Sequence, residues 1–220
     1  MKYLILVISL LTIGCSSKHP LKIMTIGDSN GASNHGWVVQ LKKLLPDDLI
    51  YNYSRPGNTI GFDNLNQSKL NTLKQLNTYL VDLRSKTDRV DHIIILLGTN
   101  DCKATFKARE GEVSTHLGKL IQSIRITDWI HRSKAKITIV SPPPYGPDDQ
   151  LLPKYHGGDI CVQKLITEYQ EICEQSGVTF VNIYDALKPR FTALSKDGVH
   201  LNEEGQMIIA KSIQNNLMNP

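Results

Sequence analysis

Five short apolar runs, each followed by a stretch of helical periodicity, constrain this chain more than any other feature. The runs are Leu21 to Ile26, Leu49 to Tyr53, His92 to Leu97, Lys136 to Val140 and Val178 to Ile183. Each has the length of a strand. The third and fourth are continuous rather than alternating, as when helices cover both faces of a parallel sheet. Between the runs, apolar residues recur every three or four positions: Val38, Leu41 and Leu45 within Trp37 to Leu45, and Leu70, Leu73, Leu76, Leu80 and Leu83 within Leu65 to Leu83. Val113 to Ile130, Val162 to Ile172 and Glu203 to Leu217 are similar, the last with Asn202 placed as N-cap ahead of Glu203 and Glu204.

Strand alternating with helix predicts right-handed crossovers and an α/β fold: a flavodoxin-like three-layer α/β/α domain on a five-stranded parallel sheet. There is no internal repeat or linker, and residues 21–220 read as one domain. Ligands of such sheets bind beyond the carboxyl ends of the strands. The irregular segment Ser141 to Asp159 follows the fourth strand and belongs at the rim of that crevice.

Chemistry-bearing residues stand directly after the strands. Gly27-Asp28-Ser29-Asn30-Gly31 follows the first and satisfies the nucleophile-elbow pattern G-x-S-x-G. "NYSRPGNT" with Gly57 follows the second, "GTND" with Asn100 the third, and "DGVHL" with Asp197 and His200 lies between the fifth strand and the last helix. Singly, each has a structural explanation: Ser29 or Asn30 as a helix cap, Gly57 as a positive-φ turn residue, Asn100-Asp101 and Asp197-Gly198 as turns, His200 as a surface imidazole. Their common placement on one sheet edge favours a chemical role. The order Ser, then Asp and His late in the chain, with Ser after the first strand, does not suit an α/β-hydrolase, whose oxyanion loop precedes the serine.

The ordered set resembles the SGNH, or GDSL-type, hydrolases, with Ser29, Gly57, Asn100 and His200 in the four signature positions and Asp197 completing a triad. "LLGTNDCKATF" followed by "VSPPP" is most similar to the short-chain aryl and carbohydrate esterase branch. Asn30 stands where the family more often has Leu, a departure expected to bear on pocket shape. The resemblance implies a nucleophile, Ser29, activated by His200, which Asp197 orients. It also implies oxyanion donors from the N–H groups of Ser29 and Gly57 and the Asn100 amide. No cofactor is implied, and no H-E-x-x-H or C-x-x-C metal spacing occurs.

The N-terminus, "MKYLILVISLLTIGCSS", orders one Lys, an apolar run and small residues as an export signal does. Leu11 to Cys15 resembles a bacterial lipobox. That reading makes 1–14 a signal peptide, Cys15 a lipidated N-terminus and 15–20 a linker, with Ser16 favouring an outer-membrane location in the cell envelope. An ordinary secretory signal, with Cys15 incidental, is the alternative. Removing Lys2 lowers the net charge only from +4 to near +3, without like-charge blocks, so neither nucleic acid nor a basic membrane patch is indicated. Cys161 and Cys173 lie about 18 Å apart along one predicted helix, beyond disulfide reach. Cys102 could bridge to either, but buried packing is the default for all three.

A lipid-anchored esterase acting on a short-chain ester, acetyl first, of a saccharide or aryl alcohol is the leading expectation. A lysophospholipase or thioesterase on long acyl chains and a noncatalytic flavodoxin-like binding module are the alternatives. Tyr155 and His156 in the rim are substrate-contact candidates, and Arg55 and Lys103 beside the crevice could meet an anionic substrate, although solvated loop positions are the default for all four.

Overall fold

The computed structural model describes residues 19–218, so the signal and Cys15 lie outside the described residues. In chain order the elements are β1 (Lys22–Gly27), α1 (Ser29–Ala32), α2 (Trp37–Leu44), β2 (Leu49–Asn52), α3 (Thr72–Lys86), β3 (His92–Leu96), α4 (Glu112–Arg125), α5 (Asp128–Ser133), β4 (Lys136–Val140), α6 (Gly158–Ser176), β5 (Thr179–Val181), α7 (Tyr184–Leu187), α8 (Phe191–Leu194) and α9 (Glu203–Met218). The strands pair in parallel in the order β2-β1-β3-β4-β5. The expected three-layer, five-stranded parallel α/β/α fold is therefore the observed one.

Strand periodicity divides the core between two faces. Met24, Ile26, Ile93, Ile95, Ile137 and Ile139 pack with Leu80, Leu83, Leu117, Leu120 and Leu165 of α3, α4 and α6. Ile23, Ile94, Leu96 and Val140 pack on the other side with Trp37, Leu41, Ile209 and Ile213 of α2 and α9. Each such buried aliphatic side chain contributes about 1.5–3 kcal/mol, so continuous apolar runs are what a doubly covered sheet requires. The order reverses at β1, whose neighbours β2 and β3 lead away in opposite directions. Ser29 follows β1 and Asn100 follows β3, so both stand at the switch-point crevice.

Local departures have local causes. The helix read from Leu65 begins only at Thr72, because Leu65 and Asn66 adopt left-handed φ of 55° and 56° and Asn71 supplies the cap, accepting from Lys74 N–H at 3.2 Å. The pattern from Val113 to Ile130 is divided between α4 and α5, with Thr127 extended at the junction. Asn202 caps α9 as expected, its side chain accepting from Gly205 N–H at 3.0 Å. The three described cysteines are all buried as expected, and two are also bonded: Cys102 and Cys161 form the bridge that the sequence left open, with Cα atoms 5.6 Å apart, because the turn after β3 meets the first turns of α6, while Cys173 is free.

Candidate active site

Gly27 ends β1, and Asp28 turns the chain into α1 by accepting the Asn30 N–H at 2.9 Å. Ser29 thus opens α1, half-exposed, above the strand ends. The G-x-S-x-G glycines have a steric reason: a Cβ would lie 2.7 Å from Ser54 Oγ at Gly27 and 2.4 Å at Gly31. Burial pushes the Asp28 carboxyl above its usual range, the Asn30 N–H offsetting only part.

The DGVHL turn brings the imidazole to the serine. Gly198 takes φ 73°, and Asp197 Oδ1 accepts the N–H groups of Val199 at 3.0 Å and His200 at 2.8 Å. Asp197 Oδ2 lies 2.6 Å from His200 Nδ1, and His200 Nε2 lies 3.0 Å from Ser29 Oγ. Partial burial raises the Asp197 pKa, but the hydrogen bonds from His200 and Val199 prevail and hold it at about 2. It is therefore a carboxylate at neutral pH, able to fix the proton on Nδ1 and leave Nε2 to accept from the hydroxyl.

The other loops converge from β2 and β3. Gly57 takes φ 85°, a conformation that favours glycine. Asn58 Nδ2 donates to the Gly27 carbonyl at 3.0 Å, and Asn100 Nδ2 donates to the Asn58 carbonyl at 3.0 Å. The Asn100 amide thus keeps a second hydrogen for another acceptor. Neither the Ser29 nor the Gly57 N–H has a hydrogen-bond partner among the described residues. Asp101, buried, accepts the Ile60 N–H at 2.9 Å and fixes the far side of the Gly57 loop; burial pushes its pKa up to about 7.

The structure therefore gathers Ser29, Asp197 and His200 into one hydrogen-bonded chain and brings Gly57 and Asn100 to the same strand ends. Asn30 does something the sequence reading missed. Instead of shaping a pocket it is buried, its Oδ1 accepting from Leu201 N–H at 3.1 Å and from Gln206 Nε2 at 2.7 Å. Gln206 in turn accepts the Trp37 N–H at 2.9 Å. Helix α1, bearing Ser29, is thereby tied to the segment bearing His200. Asn in place of Leu beside the serine was the available signal, since a buried amide needs polar partners.

In the rim, His156 is exposed and bonded to the Leu151 carbonyl at 3.2 Å, and Tyr155 packs on Tyr145 with centroids 5.8 Å apart. Arg55 Nη1 donates to the Lys69 carbonyl at 3.2 Å. Lys103 is not the solvated residue expected by default: it is 8% exposed, with its Nζ turned toward Asn64.

The model of the GDSL-like lipase/acylhydrolase family matches residues 11–208. No match to a curated protein is found. Among solved structures, the chain is similar to a carbohydrate acetylesterase from Sinorhizobium meliloti at 22% identity and a TM-score of 0.74, over 90% of this chain and 99% of that one. It is similar to an aryl esterase from M. smegmatis at 20% identity and a TM-score of 0.73, over 91% and 99%. At these identities the likeness establishes a shared fold.

Proposed function

Because the chain belongs to the GDSL-like lipase/acylhydrolase family, we propose that it is a serine esterase that forms an acyl-enzyme on Ser29 and releases a short acyl group, acetate first, from a saccharide or aryl ester. The observation that carries the reading is the continuous chain from Ser29 Oγ through His200 to Asp197, at 3.0 and 2.6 Å. His200 Nε2 takes the hydroxyl proton as Oγ attacks the ester carbonyl, and the paired Asp197 carboxylate stabilises the imidazolium. Charge on the tetrahedral oxygen is received by the Ser29 and Gly57 N–H groups and the second Asn100 amide hydrogen. His200 then protonates the departing alkoxide, and water repeats the sequence to free Ser29.

The short-chain preference is supported by the surroundings. Leu151 packs on Gly198 and is buried, and Leu152 points to solvent, so neither extends a wall for a long acyl chain. Each methylene adds about 0.8 kcal/mol only where an apolar wall receives it. The kcat/KM on nitrophenyl esters should peak at acetate or propionate and fall beyond butyrate. A peak at octanoate or longer would move the lysophospholipase or thioesterase reading to first place.

We also place the protein in the cell envelope, anchored through lipid on Cys15. The chain enters at the amino end of β1, whereas Ser29 follows its carboxyl end, six residues or about 20 Å away. Such a tether would turn the site away from the anchoring membrane, in keeping with a water-soluble substrate. The Cys102–Cys161 disulfide suits an oxidising compartment. Cys15→Ser should move the protein from the membrane to the soluble fraction or stall it as precursor; full processing with membrane recovery would contradict the anchor.

A further inference from the structure

Lys103 lies three residues beyond Asn100, on the same turn, and is 8% exposed. A lysine so far from water ordinarily has a carboxylate beside it, because desolvation strongly disfavours an unpaired charge. Among the described residues Lys103 makes no ion pair. Its Nζ lies 3.5 Å from Asn64 Oδ1 and 5.7 Å from the Tyr155 ring centroid, and Lys154 Nζ lies 4.9 Å from that same centroid. Two ammonium groups therefore converge on one ring. Burial first, and Lys154 second, push the Lys103 pKa down, while Asp28 and Asp101 oppose them more weakly.

Both lysines line a cavity of about 300 Å³ together with Asn64, Leu65, Thr105 and Phe106. The one acidic group at its edge, Asp63, is already engaged by Lys74 Nζ at 2.7 Å and Asn71 Nδ2 at 2.8 Å. The uncompensated charge facing the cavity is thus positive. The cavity also adjoins the oxyanion donors proposed above: Asn64 Nδ2 bonds the Gly57 carbonyl at 2.7 Å, and the Lys103 N–H reaches the Asn100 carbonyl at 3.4 Å.

We propose that this cavity is a substrate subsite for an anionic group, a carboxylate, phosphate or sulfate, carried by the alcohol part of the ester and held by Lys103 and Lys154. The inference rests on the esterase reading and narrows its substrate class to short-chain esters of acidic alcohols or saccharides. An anion between the two ammonium groups offsets their mutual repulsion and gives Lys103 the direct ion pair that no carboxylate among the described residues makes with it. The charge falls to the alcohol because an acetyl group carries none.

The test compares kcat/KM on a matched pair, meta-acetoxybenzoate and meta-acetoxybenzamide, in wild type, in Lys103→Met, which keeps the length of the stem, and in Lys154→Gln at an exposed position. Wild type should favour the benzoate by about tenfold. Lys103→Met should abolish that preference and Lys154→Gln should reduce it. A second pair, nitrophenyl hemisuccinate and nitrophenyl butyrate, places the charge on the acyl side and should show no such preference. Direct binding separates this inference from the esterase reading: inorganic phosphate should raise the Tm of wild type and Ser29→Ala alike, and raise that of Lys154→Gln less. Equal kcat/KM for the benzoate and benzamide in wild type, a preference that survives in both lysine variants, or one seen only with the hemisuccinate would overturn the assignment. If no ester is turned over, the esterase reading fails, and a phosphate effect unaltered in Lys154→Gln would then overturn the subsite on its own.

Discussion

The two halves of the candidate site are held in different ways. Asp197 and His200 keep side chains 55% and 47% exposed, and the segment that carries them is joined to the serine's helix from beneath by Asn30 and Gln206. Asn58 and Asn100 are buried, and their loops are braced several times over: Asn58 to Gly27, Asn100 to Asn58, Asn64 to Gly57, Asp101 to Ile60 and Cys102 to Cys161. The half that must exchange protons with substrate and water keeps its reacting side chains open, while the backbone beneath them is held by Gly146 N–H on the Gly198 carbonyl at 2.8 Å and by Asn30 Nδ2 on the Val199 carbonyl at 3.4 Å. The half that must present fixed dipoles to a developing charge is rigidly determined, as preorganised electrostatic stabilisation requires.

Removing the reacting groups gives the largest effect on either side. Ser29→Ala and His200→Ala should each lower kcat by about 10⁴-fold or more while the far-ultraviolet circular dichroism stays unchanged, since both side chains stand at strand ends outside the core. On the braced half, Asn100→Ala removes one donor and should lower kcat by about 10²- to 10³-fold with KM little altered.

Asn30→Leu tests the contrast itself. It leaves the Leu201 N–H without its buried acceptor and the Gln206 amide with only the Leu201 carbonyl at 3.3 Å, which costs about 1–3 kcal/mol of stability for each unsatisfied hydrogen. If those bonds also hold His200 to Ser29, kcat should fall by about 10- to 100-fold with KM unchanged. A loss of Tm with no change in kcat would show that the open half is held elsewhere.

The smallest effect is a pH dependence in the braced half. Asp101 titrates at about 7 in the folded protein, far above its unfolded value, because burial disfavours its charge. The fold therefore binds a proton that the unfolded chain releases, so stability is highest below the unfolded pKa and declines as pH rises to about 7. Asp101→Asn keeps an acceptor for the Ile60 N–H without the charge. Its Tm should decline less than that of wild type between acid and neutral pH, by on the order of 5 °C.

The same contrast bears on what could be read from the sequence. The strands were legible because both faces are buried, which writes uninterrupted Ile-rich runs such as Ile93 to Leu97. The candidate site was legible because Ser29, Asn100 and His200 each stand in a short motif at a strand end or before a helix. The bracing was not. Asn30 and Gln206 are 176 residues apart, and an amide that will be buried looks in sequence like any polar residue of a turn. Nor does apolar spacing reveal the left-handed φ of Leu65 and Asn66, which delays α3 to Thr72. The burial of Lys103 depends on the rim segment folding over it, a tertiary contact without a local signature.

The central claim is that Ser29, activated by His200, is the nucleophile, and its most direct test is labelling by a fluorophosphonate followed by mapping of the modified peptide. One stoichiometric adduct is expected on Ser29, lost in Ser29→Ala and strongly slowed in His200→Ala. Equal labelling of Ser29→Ala, or an adduct on another residue, would contradict it.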